Sequence, residues 1–222
     1  MATRKNPGIF GDYRGSVDTI VLSKWNDTYV TKSKPGPRRK KTTAVGLLRQ
    51  NNVFGMVSSF FKSAKGLIKI AYQRPKVVKM TPYNAAVSYH LKNAITGDPD
   101  DPSIDLRLIK FSFPIRRTQS AWNPVLVLEQ GYNVTVRWET NPFPQKCTQL
   151  DDKVILIFYD ANRGSFTGIS DVIDRSDLSF TEEFSDGFAG HELYWYMLLI
   201  SADGKLVSET EFLGMVTLPA KE

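Results

Sequence analysis

The order of apolar and polar positions divides the chain into three stretches of different character. From Val17 to Ser33 the pattern alternates. Val17, Thr19, Val21 and Ser23 fall on one side, and Asp18, Ile20, Leu22 and Lys24 on the other. Trp25-Asn26-Asp27-Thr28 then supplies a tight turn, because Asn and Asp tolerate positive φ. A β-hairpin is predicted here. Further on, Val53, Val57, Phe60, Ala64, Leu67 and Ala71 recur at steps of four and three, with Phe54, Phe61 and Ile68 beside them at steps of seven. That is the period of a helix, predicted from a cap at Thr42 or Thr43 to about Tyr72. Gly46, Gly55 and Gly66 weaken it and admit a kink or two shorter helices. A second helix is predicted over Met80–Asn93, with Pro82 in its first turn.

After the loop Thr96–Pro102 the period changes to two. Leu106–Arg116 alternates weakly. Tyr132, Val134, Val136 and Trp138 oppose Asn133, Thr135, Arg137 and Glu139. Val154–Tyr159 is a continuous apolar run, predicted to be a central strand covered on both faces. Leu178–Phe184, Leu193–Ile200, Leu206–Phe212 and Met215–Leu218 complete the set, with a hairpin turn at Ala202–Lys205. The fold class predicted is mainly β. It has a C-terminal antiparallel sandwich of immunoglobulin or fibronectin type with Trp138 in its core, preceded by an N-terminal β-hairpin, a basic arm and one or two amphipathic helices. The predicted divisions are residues 1–41, 42–97 and 98–222.

Charge follows those divisions. Residues 1–97 hold 18 Lys/Arg against three Asp and no Glu, while residues 98–222 hold 11 Lys/Arg against 20 Asp/Glu. Lys32–Lys41 is a Pro- and Gly-broken basic run, predicted to be an extended arm. Lys32, Lys34, Arg38, Arg39, Lys40 and Lys41 are its candidate anion or nucleic-acid contacts, with Trp25 and Tyr29 near enough in sequence to stack on bases. Within the helix, Val53, Val57, Phe60, Phe61, Leu67 and Ile68 either pack on the chain's own core or serve a neighbouring subunit. Lys62, Lys65 and Lys69 would suit an interfacial helix.

The opening Gly8–Gly15 segment, the hairpin leading to Thr31–Pro35, Lys79–Tyr89 with Leu91–Gly97, Leu199–Lys205 and Phe212–Gly214 together resemble a family of uncharacterised Bacteroidota proteins of about this length. The resemblance runs nearly end to end, and the Lys-Met-Thr-Pro-Tyr-Asn-Ala-Ala block is its most specific part. It implies no activity and no functional residue. The Arg38–Lys41 cluster is more basic than the family pattern, which makes a charge-driven arm particular to this member.

Catalytic chemistry has little to stand on. His90 and His191 are distant in sequence, and Trp195 stands where a zinc-protease motif begun by His191-Glu192 needs its second histidine. Cys147 is the single cysteine, so no intrachain disulfide forms. Asp98, Asp100, Asp101 and Asp105 depart from calcium-loop spacing. An enzyme acting on carbohydrate through Trp122, Phe143 and Phe166 would still lack a paired acid and base. No catalytic residue, metal or cofactor is assigned. Met1–Ser16 has no apolar stretch of a secretory signal, and no window is long and apolar enough to span a bilayer. A cytoplasmic place, or one inside an assembled particle, follows as an expectation. The functional expectation is a non-enzymatic structural protein that self-assembles into a ring, shell, virion-type capsid or filament, through opposite charges and the basic arm. Its partners would be copies of itself and other assembly proteins. The alternative is a nucleic-acid-binding protein on a sandwich scaffold, with a membrane surface as the lesser partner.

Overall fold

The computed structural model describes residues 2–4, 14–25, 28–37, 44–73 and 80–221. The chain forms two compact units, Met1–Ala44 and Val45–Glu222.

The first unit is a four-stranded antiparallel sheet of β1 (Ala2–Arg4), β2 (Gly15–Val17), β3 (Ile20–Trp25) and β4 (Thr28–Ser33), in the order β1-β4-β3-β2. The hairpin expected around residues 25–28 is present, with Trp25 opposite Thr28. The alternating run is nevertheless cut in two. Asp18 takes φ +49° and turns the chain between β2 and β3, so Val17 pairs with Ile20. Asp was read there as one face of a strand, but it also tolerates the left-handed region and can close a turn.

The second unit has three layers. β7 (Trp122–Leu128), β8 (Asn133–Glu139) and β11 (Ser179–Glu183) form one sheet, in the order β11-β8-β7. β9 (Lys153–Asp160), β10 (Ser165–Ile169), β12 (Glu192–Ile200) and β13 (Glu211–Thr217) form the other, in the order β10-β9-β12-β13. All pairs are antiparallel, and the chain crosses between sheets at β8–β9, β10–β11 and β11–β12. This three-on-four arrangement is the immunoglobulin- and fibronectin-type sandwich predicted. Between the sheets lie Val134, Val136, Trp138, Val154, Leu156, Phe158, Trp195, Met197 and Leu199.

The third layer is helical. α1 (Val45–Phe60), α2 (Lys65–Ala71) and α3 (Pro82–Asn93) contribute Val57, Ile68, Ala71, Ala86 and Val87 to a second core. Phe61, in the turn between α1 and α2, joins them. That core closes on Ile155, Ile157, Tyr196 and Leu198, the opposite faces of β9 and β12. The apolar run Val154–Tyr159 is therefore covered on both sides, as its lack of alternation required. The helices and the sandwich share buried residues, so the 45–97 segment is not a body apart from the sandwich. The change of charge near residue 98 marks no break in packing.

The long helix divides into two shorter ones, as its glycines allowed, at Phe61–Ala64, where both residues turn into the core and are fully buried. Three other elements differ from expectation. Thr96–Pro102 is a hairpin of β5 (Ile95–Asp98) and β6 (Asp101–Ile104) rather than a plain loop. Gly97 sits there at φ +88°, where a Cβ would lie 2.6 Å from the Asp101 carbonyl oxygen. Leu106–Arg116 forms a short 3-10 turn and irregular chain instead of a strand, and one strand, β13, takes the place of the two expected over Leu206–Phe212 and Met215–Leu218. Side chains hold the irregular parts. The Thr210 hydroxyl accepts the Phe111 and Ser112 N–H groups, each at 2.9 Å. Gln73 Oε1 accepts those of Ile115 and Arg116 at 3.0 and 3.1 Å.

His90 is fully buried in the helix–sheet core. Its Nδ1–H donates to the Ala86 carbonyl at 2.7 Å, and Nε2 accepts the Lys110 N–H at 2.9 Å. The Nε2 bond requires the neutral ring, and burial lowers the pKa from 6.5 to about 4, outweighing the Ala86 carbonyl, which favours the charged form. Between those values the unfolded chain takes a proton that the folded chain refuses. Stability therefore falls as pH drops from 6.5 towards 4, by up to about 3 kcal/mol, and His90 contributes no pH dependence above that window. Urea midpoints at pH 7.5 and pH 5 are expected to fall more for the wild type than for His90→Gln; equal falls would place the proton elsewhere.

β10 meets α2 at Gly168, where an added Cβ would lie 2.8 Å from Leu67 Cδ2. Gly168→Val is expected to cost about 1–3 kcal/mol by overpacking. Adding Leu67→Ala should return part of that loss, so the double variant should be more stable than the sum of the singles predicts in denaturant unfolding.

Candidate interaction surfaces

The candidate residues separate into three groups. Lys32 and Lys34 are exposed at and just beyond the end of β4, and Lys34 N–H donates to the Thr19 carbonyl at 2.7 Å. Lys24 lies 5.0 Å from the Tyr29 ring centroid. Arg38, Arg39, Lys40 and Lys41 lie outside the described residues. In the helices, Val57, Phe61 and Ile68 are wholly buried in the chain's own core, which leaves them no surface for a neighbour. Val53, Phe60 and Leu67 are half-buried. Phe60 is in ring contact with Phe61, Tyr159 and Phe166 at 4.9–5.1 Å.

Periodicity missed the apolar surface that is left over. The first eight residues of α1, Val45–Asn52, are exposed. Val45 is 64%, Leu47 50%, Leu48 48% and Phe54 53% exposed. At 100° per residue these side chains spread around the helix instead of forming one stripe. A helix that is apolar on several sides belongs in a covered setting. Residues 28–97 contain no acidic residue at all, so this surface carries no negative charge of its own element. Among the described residues, Arg49 is the one cation before residue 98 that pairs with a carboxylate, reaching Asp100 at 2.6 Å. Both partners are well exposed, and such pairs contribute little.

The sandwich has a cleft at the end where β8 runs out. It is lined by Glu139, Thr140, Asn141, Pro144, Leu150 and Leu178, among others, and encloses ≈510 Å³. Arg175, one of the lining residues, is held by a buried ion pair. Arg175 Nη2 lies 3.0 Å from Asp152 Oδ2, and its guanidinium also donates to the carbonyls of Gln119 and Ser120 at 2.6 and 3.1 Å. Thr118 Oγ1 donates to the same Asp152 oxygen at 2.9 Å, and Trp138 Nε1 to the Arg175 carbonyl at 2.8 Å. One network thus clamps segment 117–121, loop 140–152 and loop 170–178. The mouth is apolar. Phe143, Leu150, Val172 and Leu178 are exposed there or in the loops beside it, and Leu178 holds φ +59°, a costly conformation for a large side chain. Asp151 and Asp177 flank the lining residues and are exposed; Lys146 is the cation of loop 140–152.

Among the described residues, no catalytic arrangement gathers around the histidines. His191 Nδ1 lies 2.9 Å from Asp160 Oδ2, but Asp160 Oδ1 accepts the N–H groups of Asn162 and Arg163, which closes the turn after β9. Among the described residues no group of three or more His, Cys, Asp or Glu is placed to hold a metal. Asp100 pairs with Arg49, and Asp98 and Asp105 each accept a nearby backbone N–H. Trp122 and Phe143 come within 6.4 Å, but Phe166 is buried in the helix–sheet core and does not join them. Among the described residues no helix is long and apolar enough to cross a membrane.

Several solved structures are similar to part of the chain. The fn3 domain of the human collagen alpha-1(XX) chain matches 50% of this chain and 93% of its own, at 16% identity and a TM-score of 0.36. The twitchin kinase region from C. elegans matches at 16% identity and 0.36, where this chain covers 17% of that one and 48% of itself is matched. A cytokine receptor complex matches at 12% identity and 0.32, over 54% of this chain and 57% of that one. No curated protein matches the sequence. Residues 12–214 match a family of unknown function, DUF6266, and the chain belongs to that family.

Proposed function

We propose that the protein is a non-catalytic structural subunit that assembles with copies of itself. The observation that carries this reading is the uncovered apolar surface of α1 in the second unit: Val45, Leu47, Leu48 and Phe54. Burying one such side chain contributes roughly 1.5–3 kcal/mol, and leaving several exposed gains an isolated subunit nothing. The sheet of Met1–Ala44 adds to the argument. Leu22 is its one buried residue among those described, which is too little core for a unit of this size to stand by itself. Charge supports the same reading. Residues 1–44 hold ten Lys/Arg against three Asp, while residues 45–222 hold 19 against 20. The excess positive charge therefore resides in the small unit, and a second copy's acidic sandwich offers it a partner.

The same excess favours one second reading, contact with nucleic acid. Lys32 and Lys34 project from the end of a strand, and cations on one segment gain affinity by releasing counterions from a phosphate backbone. The two roles are compatible in a particle whose small units face an enclosed nucleic acid.

Light scattering coupled to size exclusion is expected to give masses above the 25.1 kDa of one chain at tens of micromolar protein in low salt. A single-chain mass at high micromolar concentration in low salt would rule out self-assembly. For the second reading, filter binding to single- and double-stranded nucleic acid at 50 mM salt should show retention that weakens steeply with salt. Lys32→Ala with Lys34→Ala should lower that slope by about 1–2. No retention at 50 mM salt would end it.

A further inference from the structure

We infer that Glu182 closes the free edge of β11 to strand addition by another chain, and that with an apolar residue in its place β11 would pair with β11 of a second copy. This stands apart from the self-assembly reading. It says which joint the sandwich is built to avoid, whatever other surface it joins through.

The sandwich has four edge strands, β11 and β7 in one sheet and β10 and β13 in the other. An edge strand presents unpaired N–H and C=O groups that another strand can take up. Three of these edges are obstructed by backbone or by a neighbouring element. In β7, Pro124 brings no N–H, and the register shift between Trp122 and Val125 twists the strand. In β13, Leu213 bulges out between the partners of Trp195 and Tyr196, with Gly214 at φ +135°. β10 lies against the helical layer. Its Phe166 N–H donates to Ser63 Oγ at 3.2 Å, and Leu67 packs against Gly168.

β11 has none of these devices. Its five residues, Ser-Phe-Thr-Glu-Glu, hold no proline and pair with β8 in unbroken register. The Trp138 N–H donates to the Leu178 carbonyl at 2.9 Å at one end of that ladder, and the Phe184 N–H to the Tyr132 carbonyl at 3.1 Å at the other. By the alternation of an antiparallel pair, the backbone groups of Phe180 and Glu182 then also turn towards β8. Those of Ser179, Thr181 and Glu183 point away from the sheet, and among the described residues nothing pairs with them.

What obstructs this edge is a side chain. Glu182 stands opposite Val134 and shares the inner face with Phe180, which stands opposite Val136. Val134 and Val136 are fully buried between the sheets. Glu182 is half-buried there, and among the described residues its carboxylate has no hydrogen-bond or ion-pair partner. Burial raises its pKa, as befits a carboxylate at an apolar face. A strand laid along β11 would cover what still meets water and leave a charge without a partner, which is costly. Within one chain Glu182 has no such justification. Val in its place, opposite Val134 and beside Phe180, would suit a strand better and bury more apolar surface.

With the charge gone, a two-fold axis at Thr181 aligns two copies of β11. It sets Thr181 against Thr181 and Ser179 against Glu183, and matches each outward N–H with a C=O. Residues paired in this way have Cα atoms about 5.5 Å apart, within the reach of a disulfide.

A cysteine on that axis reads the joint directly. Thr181→Cys, in a chain whose own thiol is removed by Cys147→Ser, should form few disulfide dimers under oxidation at high micromolar protein. Adding Glu182→Val should speed dimer formation at least about tenfold. Ser179→Cys in the same Glu182→Val chain should not link to itself, since position 179 meets 183 across the axis. Glu182→Gln, which keeps the size but not the charge, should speed the linkage by a smaller factor. Equal linkage with and without Glu182→Val overturns the role of Glu182, and linkage at 179 as fast as at 181 overturns the pairing. Should thermal unfolding show that Glu182→Val does not fold, Glu182→Gln decides by the same two comparisons. Light scattering of the wild type bears on self-assembly alone, so either reading can fail without the other.

Discussion

The fold turns on one requirement: β9 and β12 must be covered on both faces. Their paired registers place Ile155, Ile157, Tyr196 and Leu198 on one side and Leu156, Phe158, Trp195, Met197 and Leu199 on the other. A three-stranded sheet covers one side. Without the helices the other would expose several large apolar side chains, a surface no soluble sandwich tolerates. The helical layer is thus not an appendage. It supplies half of the hydrophobic burial of the central strands, and its own geometry follows from that task. α1 and α2 break at Phe61–Ala64 so that both residues can reach the sheet, and α2 crosses β10 closely enough that a Cβ at Gly168 would displace the Leu67 side chain.

Much of this was legible because burial on two sides leaves a mark that burial on one side does not. Val154–Tyr159 has no alternation, and that alone required a cover on each face. β8 showed strict alternation with Trp138 inward, as fits a sheet with one face outward. Other elements left weaker marks. In β7, Pro124 interrupts the pattern and the register shifts between Trp122 and Val125, so period two is lost where the strand begins. In β10, Thr167 and Gly168 stand where apolar residues would have announced a strand; its place is set by helix contact, which sequence period does not record. The turn at Asp18 was hidden because Asp serves either a strand's polar face or a left-handed turn.

The candidate surfaces were the least legible part, for a physical reason. Apolar period finds residues that face a core, so it selected Val57, Phe61 and Ile68, which the chain itself consumes. Residues exposed to meet a partner need not be periodic with respect to that core. Val45, Leu47 and Leu48 precede the stripe and surround the helix, and Leu150 and Leu178 lie in loops far apart in sequence. The basic helices and the acidic sandwich pack as one unit, and the remaining excess of positive charge sits in residues 1–44.

The bare end of α1 is hard to explain by the stability of a single subunit. A helix extended beyond its docked portion gains one hydrogen bond per residue, nearly offset by the entropy of ordering that residue. Polar helix formers would serve there equally well and would keep the surface soluble. Leucines do not raise the stability of an undocked turn; they raise its tendency to associate. The neighbouring glycine makes the point sharper, since Gly46 costs such a turn about 1 kcal/mol against Ala and no atom lies within 4 Å of where its Cβ would stand. A segment selected only to prolong the helix would have an Ala at position 46 and lysine or glutamate at 47 and 48. What this sequence holds is a smooth, apolar, uncharged turn, which fits a surface that is solvated in one chain and enclosed in the presence of another.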